Sequence, residues 1–314
     1  MFKRLLLTGV IVSLMLFVLS KSINISEAQR YLMNLPKLDI AVFLTLSMII
    51  STIKAYRFFT ILRGGSVEID WWTAFKTYFA GGATSPLPAG EMLRTSLLKK
   101  EAHVKVRETI GPVILQAYIE VFSAVLIVIV GSIIFDIFLV PAFLSFLIIL
   151  MVFLVLSHDK PLRILLERTV KFKKINQIIS RARTSQGAFR EDFFIGKKLI
   201  PNMTFFNSLL ISLATHFLGG VLLFLIVRST GSSLSYMQSL YVYVLGIVAA
   251  SIGSISPGGL GFTEGAMSAS FLFFKVGLQE AIVIILIFRI MTLGFSVLLG
   301  LIFLAVYYRS MLIK

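Results

Sequence analysis

The chain has 314 residues, of which 57% are hydrophobic and 14% are charged, whereas a soluble domain carries about 25% charged residues. Its mean hydropathy of +0.94 excludes a soluble globular domain and predicts a protein that folds in a lipid bilayer. The absence of cysteine excludes disulfide frameworks, thiolate metal sites and thiol nucleophiles.

Seven apolar blocks are long enough to cross a bilayer as helices, which takes about 20 residues each. Alternating barrel strands are shorter and do not match them. We therefore expect an all-α polytopic membrane protein with a single transmembrane domain over residues 1–314. The first block resembles a signal peptide, but no convincing cleavage site follows it, so we expect it to remain as a span. The blocks are Leu5 to Ser20, Leu38 to Ile53, Thr109 to Phe135, Phe138 to Leu156, Met203 to Val227, Tyr236 to Ile255 and Ala281 to Tyr308.

Two further apolar pieces are too short to span the bilayer, and each adjoins helix-breaking residues. Proline removes a backbone donor and glycine loosens a helix. Such backbone survives at membrane depth only where protein or a water-filled cavity satisfies its polar groups, so both pieces are predicted to be broken or re-entrant. The breakers are Pro86, Pro88 and Gly90 after Trp71 to Ala80, and Pro257, Gly258, Gly259 and Gly261 before Phe262 to Phe274.

The two breaking runs also resemble each other, since each starts with Ser-Pro and reaches a glutamate a few residues later. One run lies in each half of the chain. Paired interrupted segments of this kind point to the binding site of a transporter at the interface of two repeats. The pattern therefore predicts an internal repeat with the site between its halves.

A strongly basic loop lies between residues 158 and 200, with eleven Lys or Arg and four Asp or Glu, a net charge of +7 in a chain of +15. Such a loop marks the cytoplasmic side and meets anionic headgroups of the inner leaflet. Its apolar residues recur at helical spacing, which predicts an amphipathic helix on the leaflet and not a nucleic-acid arm. The expected partners are membrane lipids, while a second copy of the chain and a lipid-synthesising enzyme stay open.

The other basic residues indicate part of the topology by the same rule. Lys3 and Arg4 place the N-terminus in the cytoplasm of a multi-pass cell-membrane protein. Arg63 and Lys99 are expected on that side too, so the first broken piece should dip into the bilayer and return. For the second broken piece the sequence leaves crossing and dipping open, and with them the side of the C-terminus.

Charged residues on the apolar segments are the candidates for function, because a charge at the bilayer centre costs about 2.5 to 3.5 kcal/mol. Glu91 and Arg94 are spaced i, i+3, within pairing reach on one helix face, and Glu264 falls in the first turn after the second breaker. The alternative for both glutamates is stabilisation of a helix N-terminus, worth about 0.3 to 1 kcal/mol. The remaining candidates are Arg57, which closes the second span, Glu120 with Gln116 in the third block, and Arg289 in the last span.

These candidates have simpler interpretations as well. Arg57 and Arg94 could be interfacial cations, Glu120 could bond to a neighbouring span, and His216 is expected to be an interhelical hydrogen-bonding group. As a functional set, Arg94 and Arg289 supply forked donors that match phosphate oxygens, and the helix N-termini after the breakers present free N–H groups. The set therefore suits a lipid with an anionic headgroup, although a pathway lined by the same polar groups also suits a small polar solute.

Three elements carry a resemblance to a known family: Ala55-Tyr56-Arg57-Phe58, Pro86 through Arg94, and Pro257 through Glu264. Of these, the Pro-Gly-Gly-x-Gly-x-x-Glu pattern is the most specific. Over nearly its whole length the chain resembles the flippase-like membrane domain of the lysylphosphatidylglycerol synthases, or multiple peptide resistance factors, which also occurs free-standing. The resemblance implies translocation of an aminoacylated phospholipid or another lipid-linked headgroup. In two-part relatives a soluble aminoacyl-transferase domain follows the membrane part, and we expect none here.

Two other classes of protein compete with a lipid flippase. An integral membrane enzyme would need a metal-binding or acid-base cluster, yet the three histidines are scattered and no D-D-x-x-D run is present. A phosphate-binding loop for ATP is absent too. We therefore expect neither enzymatic activity nor a cofactor. A polar solute or ion transporter is the remaining alternative.

Overall fold

The apolar blocks of the sequence form long helices joined by short turns. The computed structural model describes residues 35–87, 90–157, 202–253 and 257–307, and all regular elements within them are helical. The 3₁₀ turns Gly90–Met92 and Pro257–Gly259 precede α3 and α8, and the π-helical turn Ile290–Gly294 joins α9 to α10. The helices are α1 Lys37–Gly64, α2 Trp71–Gly82, α3 Leu93–Glu101, α4 Val106–Phe135, α5 Leu139–Ser157, α6 Asn202–Ser229, α7 Tyr236–Ile252, α8 Phe262–Phe273, α9 Leu278–Arg289 and α10 Phe295–Tyr307.

Length and composition make four of the described segments suitable for crossing a membrane: Lys37–Gly64, Glu108–Phe135, Met203–Ser229 and Leu278–Tyr307. The prediction of an all-α membrane protein is confirmed. The predicted count of seven spans is not supported, because four of the described segments have the length and composition of a span. The predicted first span and the basic loop lie outside the described residues.

The distribution of side chains is that of a protein whose solvent is lipid. Large apolar side chains such as Val140, Ile148 and Met203 are more than half exposed on the outer surface. Polar groups lie inside, where Arg57 and His216 are fully buried. Helices in hydrocarbon gain nothing from burying leucine against leucine, so polar and small residues hold them together.

The helices α2 and α3 form an antiparallel pair, the first hairpin. Asp70 caps its start by accepting a hydrogen bond of 2.9 Å from the backbone N–H of Thr73, which satisfies one free donor of the helix. Near the same end, Lys76 on α2 donates to Glu101 on α3 at 2.9 Å. The chain reverses at the other end, the tip, where Pro86 and Gly90 interrupt the helix.

The helices α7 and α8 form the second hairpin in the same way. A capping box of Ser235 with Gln238 starts α7, and the rings of Tyr241 and Phe274 lie 6.3 Å apart where α8 returns. At its tip, Gly258, Gly259 and Gly261 all have positive φ, a conformation open to glycine without a Cβ penalty. Of the predicted span from Tyr236 to Ile255, the structure shows a helix as far as Ile252, after which the chain turns back through α8.

The two hairpins enter the bundle from opposite ends. The end of α4 meets the base of the second hairpin, where the rings of Phe135 and Phe274 are 5.2 Å apart. The end of α10 meets the base of the first hairpin, where the rings of Trp72 and Tyr307 are 6.0 Å apart. The two tips meet in the middle, since a methyl group on Gly258 would lie 3.7 Å from Cα of Pro86.

Helix contacts repeat between the two halves of the chain. The helices α1 and α6 pack against each other, α2 packs on α10, and α7 packs on α4. The long helix that precedes each hairpin thus contacts its counterpart, and each hairpin contacts a helix that follows the other hairpin. The predicted boundary of the second block also shifts, because α1 continues past Ile53 to Gly64 and Arg57 lies within it.

Candidate functional site

A cavity of about 470 Å³ lies where the two hairpin tips approach α1, α4 and α10. Both tips line it, the first through Ser85, Leu87 and Gly90 and the second through Gly258 and Gly259. The interrupted segments therefore share one polar space, in which broken backbone finds the protein and water contacts that hydrocarbon cannot supply. Ionisable side chains in the lining are Lys54, Tyr78, Arg94, Glu120, Tyr243 and Arg289.

Glu120 holds the first ionic cluster together. Its Oε1 accepts from Nζ of Lys54 at 2.5 Å and its Oε2 from Nη2 of Arg57 at 2.7 Å. Arg57 also donates through Nη1 to Oγ of Ser212 at 2.6 Å. At 1.5 Å per residue, Glu120 lies about 21 Å from the start of α4 and about as far from its end. The cluster therefore occupies the middle of the helix, where a charge without a counter-charge is costly.

His216 supports the backbone of this cluster and is not one of its charged members. Its Nε2 lies 3.0 Å from the carbonyl oxygen of Glu120 and 2.9 Å from Oγ of Ser123, and Ser123 contacts Ser212 at 2.7 Å. These contacts tie α6 to α4 beside the carboxylate. The histidine is thus the interhelical hydrogen-bonding group expected from the sequence.

Arg289 and Glu264 form the second ionic cluster at the tip of the second hairpin. Nε of Arg289 donates to Oε1 of Glu264 at 2.8 Å, and its Nη2 donates to the carbonyl oxygen of Gly258 at 3.1 Å. Oε2 of Glu264 accepts from the backbone N–H of Gly261 at 2.7 Å. The glutamate therefore caps the helix, as its alternative interpretation predicts, and it also neutralises the arginine; its functional role stays a prediction. The pair stabilises the Pro-Gly-Gly-x-Gly turn through its hydrogen bonds to the backbone of Gly258 and Gly261.

Arg94 enters the cavity from the first hairpin. Its guanidinium carbon lies 4.1 Å from the ring centre of Tyr78 and 5.7 Å from that of Phe58, distances typical of cation–π contacts. Gly81 leaves room for it, because a methyl group there would lie 2.4 Å from Cγ of Arg94. The aromatic rings therefore fix the direction of the arginine toward the cavity.

The structure brings most of the sequence-predicted site residues to this one place. Pro86 contacts the opposite tip, and Pro257 opens the 3₁₀ turn. Pro88 lies outside the described residues. Glu91 lies in the turn Gly90–Met92, and its predicted pairing with Arg94 stays a prediction. The predicted residues that line the cavity are Gly90, Arg94, Glu120, Gly258, Gly259 and Arg289, and those directly behind the lining are Arg57, Gly261 and Glu264.

Sequence reasoning missed one face of α1. Ser47, Ser51 and Lys54 follow each other at helical spacing and all line the cavity. The hydroxyl of Ser47 is buried and has no hydrogen-bond partner among the described residues. The available signal was the i, i+3 spacing of Lys54 and Arg57, which puts both cations on one helix face.

Comparison with known protein families gives a match over most of the chain. Residues 5–300 match the model of a protein family described as the lysylphosphatidylglycerol synthase TM region. No curated protein matches the chain.

Proposed function

We propose that this chain, which belongs to the family of lysylphosphatidylglycerol synthase transmembrane regions, moves a membrane lipid between the leaflets of the bilayer. The polar headgroup passes through the cavity between the hairpin tips. The acyl chains stay in hydrocarbon beside it. The protein acts as a transporter and not as an enzyme, and the aminoacylated phospholipid implied by the family is one candidate substrate.

The observation that carries this proposal is the polar cavity at the level of Glu120, half-way along α4. A headgroup that crosses a bilayer loses its hydration in the hydrocarbon, at a cost of several kcal/mol for each unsatisfied polar group. The hydroxyl groups and ionised side chains of the lining replace those water contacts. A cavity of about 470 Å³ falls within the usual size range of small-ligand sites.

The packing of the two halves supports an internal repeat with inverted halves. The contact of α2 with α10 corresponds to that of α7 with α4, and the hairpins start from opposite ends of the bundle. In such transporters the site lies between the repeats, and one half rocks against the other to open it to each side in turn. Both hairpins are then re-entrant, each dipping from its own side of the membrane.

The charges around the base of the first hairpin support an orientation in the cell membrane. Lys99, Lys100 and Lys105 follow or end α3, at the base of the first hairpin, so the positive-inside rule places that base in the cytoplasm. Tyr307 contacts the same base, which puts the end of α10 on the cytoplasmic side too. The second hairpin then opens outward.

A reconstitution experiment tests the proposal. Purified protein is placed in vesicles with a fluorescently labelled phospholipid, and an impermeant reductant destroys the outer-leaflet label. We expect the loss of fluorescence to rise from about half toward completion with wild-type protein. Arg289→Met should slow the exchange at least tenfold, whereas Arg228→Met, which removes a cation at the far end of α6, should not.

The same vesicles distinguish the alternatives. A leaflet asymmetry unchanged by wild-type protein would overturn lipid transport. Leakage of a trapped polar solute without lipid exchange would support a solute transporter. A new lipid product in the extracted vesicles would support a lipid-modifying enzyme.

A further inference from the structure

The cations around the cavity outnumber the carboxylates. Lys54, Arg94 and Arg289 face the space, whereas Glu120 is the one acidic residue among the described lining side chains. Directly behind the lining, Arg57 pairs with Glu120 and Glu264 pairs with Arg289. Within the two ionic clusters the described side chains thus include three cations and two carboxylates, a surplus of one positive charge. Such a surplus in a low-dielectric space attracts anions and repels cations.

The carboxylates that are present have all four oxygens engaged. Lys54 and Arg57 each take one oxygen of Glu120. On Glu264, Arg289 takes one oxygen and the backbone N–H of Gly261 takes the other. An ammonium group in the cavity would therefore have to share a carboxylate oxygen with a donor that already binds it, and it would lie among like charges.

Two of the cations, Lys54 and Arg289, in contrast keep donors available. An ammonium has three N–H donors, and Glu120 is the one hydrogen-bond partner of Lys54 among the described residues. Nη1 of Arg289 has no partner among the described residues, since the hydrogen bonds of this arginine use Nε and Nη2. The buried hydroxyl of Ser47 lies about two helical turns before Lys54 on α1, also without a partner among the described residues. Phosphate oxygens accept hydrogen bonds and do not donate them, so they match these groups.

We propose that the cavity selects a lipid whose headgroup bears a phosphate and no ammonium group, so that it prefers phosphatidylglycerol to the lysyl ester of the same lipid. This inference rests on the proposed function for the identity of the ligand as a lipid. Lys54 is the specificity-determining residue, because it is a lining cation with unused donors and its one carboxylate partner is shared with Arg57. The chain then differs in substrate from the aminoacylated lipid that its family description names.

Binding in detergent tests the preference without requiring transport. The probes are dioctanoyl-phosphatidylglycerol and its lysyl ester, titrated into purified full-length protein and followed by microscale thermophoresis. We expect phosphatidylglycerol to bind at least tenfold more tightly. Equal affinity, or tighter binding of the lysyl ester, would overturn the inference.

Two matched lysine variants test whether the preference for phosphatidylglycerol comes from the cavity. Lys54→Met should weaken phosphatidylglycerol binding at least fivefold and leave the lysyl ester unchanged or slightly tighter. Lys76→Met removes a cation that is paired with Glu101 at the base of the first hairpin, outside the cavity lining, and should change neither affinity. If both variants act alike, the preference does not come from the cavity. Should Lys54→Met fail to fold, Ser47→Ala serves instead, and it should weaken phosphatidylglycerol binding by removing a lining hydroxyl that has no partner among the described residues.

Two further arms separate this inference from the proposed function. Inorganic phosphate that competes with the lipid at millimolar concentration would retain the preference for anions but identify a solute site. Selective phosphatidylglycerol binding in a protein that exchanges no lipid in vesicles would retain the inference and overturn transport. Lipid exchange at equal rates for both lipids, with equal affinities, would retain transport and overturn the inference.

Discussion

Removing the carboxylate of Glu120 should strongly destabilise the folded protein. Glu120→Gln keeps the size of the side chain but leaves Lys54 and Arg57 without their shared counter-charge. Arg57 is fully buried, whereas about a fifth of the Lys54 side chain is exposed toward the cavity. The arginine therefore carries most of the penalty.

The size of the effect follows from the burial of these groups. Breaking a buried ion pair by removing one partner costs about 3 to 5 kcal/mol, because it leaves a buried charge uncompensated. Since the cavity hydrates Lys54 and part of Glu120, we expect a loss near the lower end, about 3 kcal/mol. That loss changes the ratio of folded to unfolded protein by a factor of more than about 100.

Unfolding in mixed micelles of increasing denaturing detergent, followed by circular dichroism, measures this loss. The matched control is Glu108→Gln in the first turn of the same helix, where the carboxylate bonds an exposed backbone N–H at 3.4 Å. That change should cost less than about 1 kcal/mol. The double variant Arg57→Met with Glu120→Gln should recover much of the stability, because no buried charge is left on α1 at that position. The reasoning is refuted if Glu120→Gln is as stable as its control, or if the double variant is no better than the single one.

Two smaller changes test the hairpins. Gly261→Ala should destabilise the protein by about 1 to 2 kcal/mol, because Gly261 has φ of +82°; the effect is one of backbone strain alone, since a methyl group there meets no atom within 4 Å. Gly265→Ala is the control: it is equally open but lies within α8, so it should stabilise the protein by up to about 1 kcal/mol. Equal effects of the two variants in the same unfolding assay would contradict the backbone argument. Asp70→Ala should cost about 1 kcal/mol at neutral pH by removing the cap of α2. Hydrogen bonds from Thr73 lower the pKa of Asp70. The stability that the ionised cap contributes is therefore present at neutral pH and is lost as the pH falls below about 4 toward the folded-state pKa. Asp70→Asn should keep most of the cap and show no such loss, so an identical acid midpoint of unfolding for wild type and Asp70→Asn would contradict the assignment.

The interrupted segments could be placed from sequence because their cause is local. A proline or a run of glycines disrupts a helix whatever surrounds it, so Pro86 and Gly258 mark the tips. The same is true of Glu264, whose position three residues after Gly261 is typical of a glutamate that returns to the start of its own helix. The tips and the capping role of Glu264 were therefore accessible to sequence reasoning, whereas its pairing with Arg289 was not.

The path of the chain between these points was less accessible, because hydropathy records composition and not direction. The stretch from Tyr236 to Ile255 is as apolar as a span, yet α7 has 17 residues and pairs with α8 in a hairpin. The hydropathy of α1 likewise drops at Lys54 and Arg57, which suggests an end at Ile53. In the structure these cations are neutralised by Glu120, more than 60 residues later, and the helix continues. Only the tertiary pairing makes that continuation favourable.

Cysteine labelling tests the central claim, that a lipid headgroup occupies the cavity between the hairpin tips. The chain contains no native cysteine, so Ser296→Cys places a single thiol in the lining, and Ser270→Cys places one in the buried core of α8 as its control. The label is a small, charged maleimide added to purified protein in detergent, and the label incorporated is measured by mass spectrometry. We expect the cavity thiol to react, the core thiol to stay unreactive, and added dioctanoyl-phosphatidylglycerol to slow the cavity reaction at least fivefold. A cavity thiol that reacts at the same rate with and without lipid would contradict the account.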